Sequence, residues 1–330
     1  MGSRSFRITP LVCIAEILAI SAQAQQKTIF HIWRTIPFGA DGFWDYLRFD
    51  PDANRLFIAR STRVMAVDLA TGKVATEISA TLGVHGVVLD AGHRRGVTSN
   101  GKANNASNFY LDSLKVINRV PTGEKPDGIL WEPFTRTVLT MKWGGEQRDD
   151  DRRCDCATKG AIALPGRSET GASDGKGRVY VNLEDKAQIA EIDLEARAVK
   201  HSWDLAGCAS RLGLRLIPRT PGFFSACHNG MLVVVDASSG ANVAKVPIGM
   251  GVDAAAFDEE IHTIITSNKE GSVSVIEQAD ADTYHNLQIA TTLPGAKTKA
   301  LDPSRHLVYT VANQPDGSGQ VRGVLVVIGP

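Results

Sequence analysis

Seven positions along the chain carry one local pattern, and their spacing leaves few folds open. Asp45 stands five residues before Asp50-Pro51, His85 before Asp90, Asp127 before Glu132-Pro133 and Glu169 before Asp174. Leu212 stands likewise before Ile217-Pro218, Asp253 before Asp258 and Lys297 before Asp302-Pro303. Successive anchors are 40, 42, 42, 43, 41 and 44 residues apart. The copy around Asp253 is the clearest. Residues 252–258 are small and apolar, as suits a strand buried on both faces, while 261–268 and 272–276 are β-branched and partly alternating. Asp258-Glu259-Glu260 and Asn268-Lys269-Glu270-Gly271 supply the turns between them. A period of about 40–45 residues with four strands per unit is that of a β-propeller blade. Seven anchors predict an all-β, seven-bladed β-propeller.

The two ends of the chain complete this scheme. The last unit has three inner strands within 297–328 and lacks an outer one, while residues 29–36 form a strand that precedes the first anchor. This spare strand is expected to complete the last blade, so that neither terminal blade exposes an edge. Blade one reads as strands over 46–49, 55–59, 64–67 and 74–78. Residues 144–160 break the pattern, because the polar run 147–156 stands where a third strand is due although the repeat length is kept. The expectation there is an irregular or degraded strand in blade three, the alternative an acidic, metal-attracting loop at Asp149, Asp150 and Asp151.

Residues 1–24 read as a signal peptide. Arg4 and Arg7 precede a mostly apolar stretch from Ile8 to Ile20, and Ala22-Gln23-Ala24 fits a small-x-small cleavage site before Gln25. The apolar stretch is too short to span a bilayer as a mature helix. The expectation is therefore a periplasmic or secreted protein, residues 25–330 forming one monomeric propeller domain. The whole chain of 330 residues has 36 basic and 36 acidic side chains. That balance argues against phosphate-driven binding of nucleic acid or of anionic lipid. Cys208 falls just before the first strand of blade five and Cys227 ends its second, so antiparallel pairing brings them to one edge of the blade. There they are placed to form a disulfide in an oxidising compartment, the other reading being two buried free thiols. Cys154 and Cys156 match no haem-attachment or zinc pattern.

Each anchor opens the innermost strand of its blade, so the anchors should converge on one mouth of the central channel. Asp45, His85, Asp127, Glu169 and Asp253 are ligand types for a divalent cation or a cationic ligand, with Lys297 on the rim. The plainer reading is a solvated channel end. A second ring lies about 15 residues after the anchors: Arg60, Asn100, Lys142, Asn182, Asn229, Asn268 and Asn313. Asn in such a place mostly serves left-handed turn geometry. Arg60, Lys142 and His228 have no turn-forming reason and are expected to widen the binding surface. Trp44, Trp131, Trp143 and Trp203 are expected to pack between blades.

Several stretches carry a family likeness: Arg178-Val179-Tyr180-Val181-Asn182, Thr98-Ser99-Asn100-Gly101, and Ser267-Asn268 followed by Val273-Ser274-Val275-Ile276. With Trp44-Asp45-Tyr46, 54–60 and 251–258, they resemble the YVTN-type 40-residue-repeat propellers, the YncE-like periplasmic proteins, over roughly 29–328 apart from 144–160. The resemblance implies an exported, seven-bladed binding or scaffold module, with little guidance on catalysis; at least one relative is associated with single-stranded DNA. Two functions follow. The favoured one is a module that binds a protein partner or small ligand over the funnel. The other is a metal-dependent hydrolase or lactonase whose funnel carboxylates hold a cation that activates water, with His85 or Asp253 as base.

Overall fold

The computed structural model describes residues 29–40, 43–142, 147–152, 157–208, 211–217 and 222–330. The expected signal segment, Trp143, Cys154 and Cys156 lie outside the described residues. The chain forms a β-propeller. Six four-stranded antiparallel sheets are each made from four consecutive strands, and a further four-stranded sheet is built from both ends of the chain. The innermost strands of the six are Leu47–Asp50, Val84–Asp90, Pro126–Glu132, Ser168–Ser173, Arg211–Ile217 and Val252–Asp258. The innermost strand of the closing blade is Lys299–Asp302. Each touches the next around the axis, and Lys299–Asp302 touches Leu47–Asp50 to complete the ring.

Burial follows distance from the axis. In blade one the second strand, Arg55–Arg60, and the third, Arg63–Asp68, are almost wholly buried, whereas the outermost, Lys73–Ser79, is mostly exposed. The apolar residues of the middle strands pack blade against blade. Phe57 and Val64 of blade one meet Val87 and Phe109 of blade two. Leu56, Ile58 and Met65 meet Tyr309, Val311 and Leu325 of the closing blade, so the ring is closed by apolar contact as well as by pairing. Fully burying one such side chain stabilises the fold by about 2 kcal/mol. Trp44 and Trp131 pack within or against these layers, and Trp203 stacks on Tyr180.

The closing sheet runs, from outside inwards, His31–Ala40, Val321–Gly329, Leu307–Pro315 and Lys299–Asp302. Blade three departs from the sequence expectation. Gln147–Arg152 is a strand and not a loop, with Val138 opposite Asp151 and Thr140 opposite Asp149, and its register with the outermost strand shifts between Asp150 and Asp151. The outermost strand begins earlier than its apolar residues suggest, at Ala157–Ala163. Two flanking strands with unpaired backbone groups supply the ladder for a third, and this outweighs the poor β-propensity of three consecutive aspartates. In blade five Cys208 and Cys227 are joined by a disulfide with a Cα–Cα distance of 5.3 Å.

A candidate site at one mouth of the channel

The anchors owe their position to a repeated irregularity. In blades two to six the register between the first and second strands shifts at the anchor: between Val84 and Val87, Pro126 and Ile129, Ser168 and Gly171, Arg211 and Gly213, and Val252 and Ala254. His85, Asp127, Glu169, Leu212 and Asp253 therefore occupy bulges, which release a residue from the ladder and re-aim its side chain. Space behind the bulge is tight. A Cβ on Gly128 would stand 1.9 Å from the Glu169 carbonyl oxygen, so only glycine lets these two inner strands approach. Asp45 and Lys297 lie just outside the short inner strands of their blades, and the Asp45 amide bonds the Ala59 carbonyl at 3.0 Å.

A buried hydroxyl network pins two of these bulges. Ser99 Oγ accepts from the Gly86 amide at 3.0 Å and donates to the Asp127 carbonyl, tying blade two to the anchor of blade three. Ser267 Oγ repeats the link from blade six to the Lys297 carbonyl. The following asparagines are not turn residues, contrary to expectation. Asn100 and Asn268 end their second strands fully buried, and their Nδ2 atoms donate to Ser107, and to Ser272 and Ser274. The repeated Thr-Ser-Asn at 98–100 and 266–268 is the signal of this network.

Three anchors form a tight cluster. His85 Nδ1 lies 2.7 Å from Asp45 Oδ2 and 3.4 Å from Asp127 Oδ1. One ligand atom from each falls within 4.8 Å of the others, the spacing of a small cation site. Asp253 instead faces Lys297, Oδ1 to Nζ 3.6 Å. Glu169 is electrostatically close to Asp127, Asp253 and Asp45, but outside that three-residue cluster. Leu212 holds its place in the ring at the backbone bulge between Arg211 and Gly213. His228 is exposed and adds a favourable charge to Asp253, so it belongs to the rim. Arg60 does not. It is buried, its guanidinium 5.4 Å over the Phe38 ring and 3.4 Å from Met65 Sδ, so it packs the blade interface and does not widen the surface. Lys142 is likewise buried. The repeat fixes where a residue stands in its blade but not whether a neighbouring blade covers it.

The electrostatics follow from crowding. Burial pushes Glu169 up to about 9, helped by Glu184, Asp127, Asp253 and Asp45. Asp127 rises to about 6, burial and the Asp45 charge outweighing the pull of His85. Burial opposes charge on His85, yet the hydrogen bond to Asp45 and both carboxylates raise its pKa. Two carboxylates thus compete for one imidazolium, and the nearer, Asp45, holds it.

A cavity of about 780 Å³ adjoins the cluster, lined by His85, Asp127, Phe43, Lys102 and Lys125. Phe43, Leu82 and Met250 are exposed, and each lies two or three residues before an anchor, which puts apolar side chains around the acidic mouth. Among the described residues, no helix is long and apolar enough to cross a membrane.

No family model matches the chain. No curated protein matches it either. Among solved structures, a chain of the crystal structure of a mitotic checkpoint complex superposes with a TM-score of 0.76 at 11% identity, covering 100% of this chain and 99% of that one. At that identity the likeness shows the fold alone.

Proposed function

We propose that this protein is an exported, seven-bladed, YncE-like binding module. Its ligand or protein partner docks over the mouth formed by Asp45, His85 and Asp127, with a divalent cation or a cationic group held among those three side chains. The observation that carries this reading is their mutual approach within 4.8 Å at the edge of a cavity of about 780 Å³. Two carboxylates and an imidazole suit a manganese- or zinc-like ion better than calcium, which prefers an all-oxygen shell. The exposed Phe43, Leu82 and Met250 suit a protein partner seated on the same face. The checkpoint-complex chain is a propeller within a protein assembly, a use of the fold that agrees with this reading.

The test is a melting curve of the EDTA-treated protein with and without Mn²⁺ or Zn²⁺. Saturating the site a hundredfold over its dissociation constant should add about 2.7 kcal/mol. Asp45→Asn with Asp127→Asn should abolish the rise, and an equal rise in wild type and double variant overturns the reading. One observation favours the metal-dependent hydrolase as a second reading: Glu169 keeps its proton to about pH 9 beside this mouth, as a general acid must. Glu169→Gln would then abolish ester hydrolysis while leaving the cation-dependent rise intact.

A further inference from the structure

Deeper in the channel the charge reverses. Arg48 lies three residues beyond Asp45, Arg215 three beyond Leu212, and Lys299 two beyond Lys297, so all three stand at about one level of the inner strands. They line a single cavity of about 550 Å³ together with Gly213, Ala254 and Ala255, small residues that leave room between the cations. Lys299 is 7% exposed. Among the described residues, none of the three forms an ion pair with a carboxylate. The Arg215 guanidinium donates instead to the Leu214 carbonyl at 2.7 Å.

The acidic groups along the same wall are engaged elsewhere. Asp253 faces Lys297, Glu169 is surrounded by other carboxylates, and Asp174 Oδ1 accepts from the Lys176 and Arg178 amides. A cation as buried as Lys299 is ordinarily paired, because an uncompensated charge in a dry interior is expensive. Here the missing partner has a place to sit.

We propose that this cavity is an anion site, and that a phosphate-type dianion binds between Arg48, Arg215 and Lys299. Three converging cations favour a dianion over a monocarboxylate, and guanidinium groups match its oxygens in paired hydrogen bonds. The cavity extends to Pro133, Asp174 and Gly175 at the far ends of the inner strands, so the anion enters from the face opposite the acidic mouth. Lys299 is held well below the ordinary lysine range, by burial first and then by Arg215 and Arg48, the strain that a bound anion relieves.

Calorimetric titration of inorganic phosphate into the full chain tests this, at constant ionic strength and with EDTA present so that a cation at the acidic mouth plays no part. The expected result is saturable binding, weakened at least tenfold in both Lys299→Met and Arg48→Gln, with acetate binding at least tenfold more weakly than phosphate. Lys299→Met should also melt higher than wild type without phosphate, since burial and the neighbouring Arg215 and Arg48 work against an ammonium at that place. If that variant fails to fold, Arg48→Gln, at an exposed channel position, decides alone. Absence of saturable phosphate binding, binding unchanged in the folded variants, or acetate bound as well as phosphate would each overturn the proposal.

Discussion

Glu169 sets the sign of the protein's response to pH at the acidic mouth. Its folded pKa of about 9 stands above the ordinary glutamate value of 4.5, so its contribution to stability is complete below 4.5 and is lost as pH rises towards 9. Asp127 acts in the same sense between 3.8 and about 6. His85, also raised, stabilises below 6.5 and loses that contribution as pH climbs through its folded value. Stability should therefore decline between about pH 5 and pH 9. Glu169→Gln should flatten the decline and add on the order of a few kcal/mol at pH 9. Denaturant titrations at both ends of that range check it, and parallel curves for the two proteins would refute it. The ring of anchors was legible in the sequence, because equal spacing puts residues at equivalent places in successive blades. Which of them touch was not. The selection of Asp45, His85 and Asp127 depends on how far each bulge turns its side chain, and no period encodes that. Arg60 shows the same limit from the other side: its cover is Phe38, a residue of the N-terminal strand.

At the scale of single strands and turns, the acidic residue five places after every anchor but Leu212 stands at the opposite face, and two of these residues staple neighbouring blades there. The fully buried Glu132 carboxylate accepts from the Phe134 and Thr135 amides and the Thr135 hydroxyl, and reaches blade four through Ser173 Oγ and the Gly177 amide. Asp258 makes the same kind of link to His306 of the closing blade at 2.9 Å. Burial works against the Glu132 charge, but the bonds from Thr135, Phe134 and Gly177 lower its pKa, so its stabilisation is present above 4.5 and lost in acid. Glu132→Ala should cost about 3 kcal/mol near neutral pH by leaving those donors unpaired, and the cost should shrink in acid. Chemical denaturation at pH 7 and pH 3 measures both. Opening the Cys208–Cys227 bridge by Cys208→Ser with Cys227→Ser should also cost about 3 kcal/mol, from the loop it closes. An unchanged midpoint with and without reductant would show that the bridge adds nothing. The strands of blade one were readable to within a residue or two, because β-branched runs and Gly or Asp turns alternate there. Gln147–Arg152 was not, since its strand conformation is imposed by its neighbours and its own residues give no sign of it.

For the whole molecule, the decisive element is the strand His31–Ala40, which makes an open row of blades into a ring. It pairs along the length of Val321–Gly329, from His31 opposite Gly329 to Ala40 opposite Arg322. It also ties three blades together. The Phe30 amide and carbonyl bond the Gln288 side chain of blade six, each at 2.9 Å, and Arg34 Nη2 donates to the Leu69 carbonyl of blade one at 2.9 Å. Phe30 and Phe38 are buried in the layers on either side of the closing blade. Because the strand comes from one end of the chain and its sheet partners from the other, ring closure fixes both ends at once. Removing residues 25–40 takes away the ladder, the two phenylalanine side chains and the ties to blades one and six together, and leaves the edge of Val321–Gly329 exposed. The loss should be several kcal/mol, with association of the truncated protein through the bare strand. A synthetic peptide of residues 29–40 added in trans should restore the melting temperature in proportion to its concentration, as mass action requires, and should return the truncated protein to the elution volume of the intact one in size-exclusion chromatography. A truncated chain that melts like the intact one, or one that the peptide neither stabilises nor disperses, would mean that the ring is held without this strand and that the apolar layers between blades suffice.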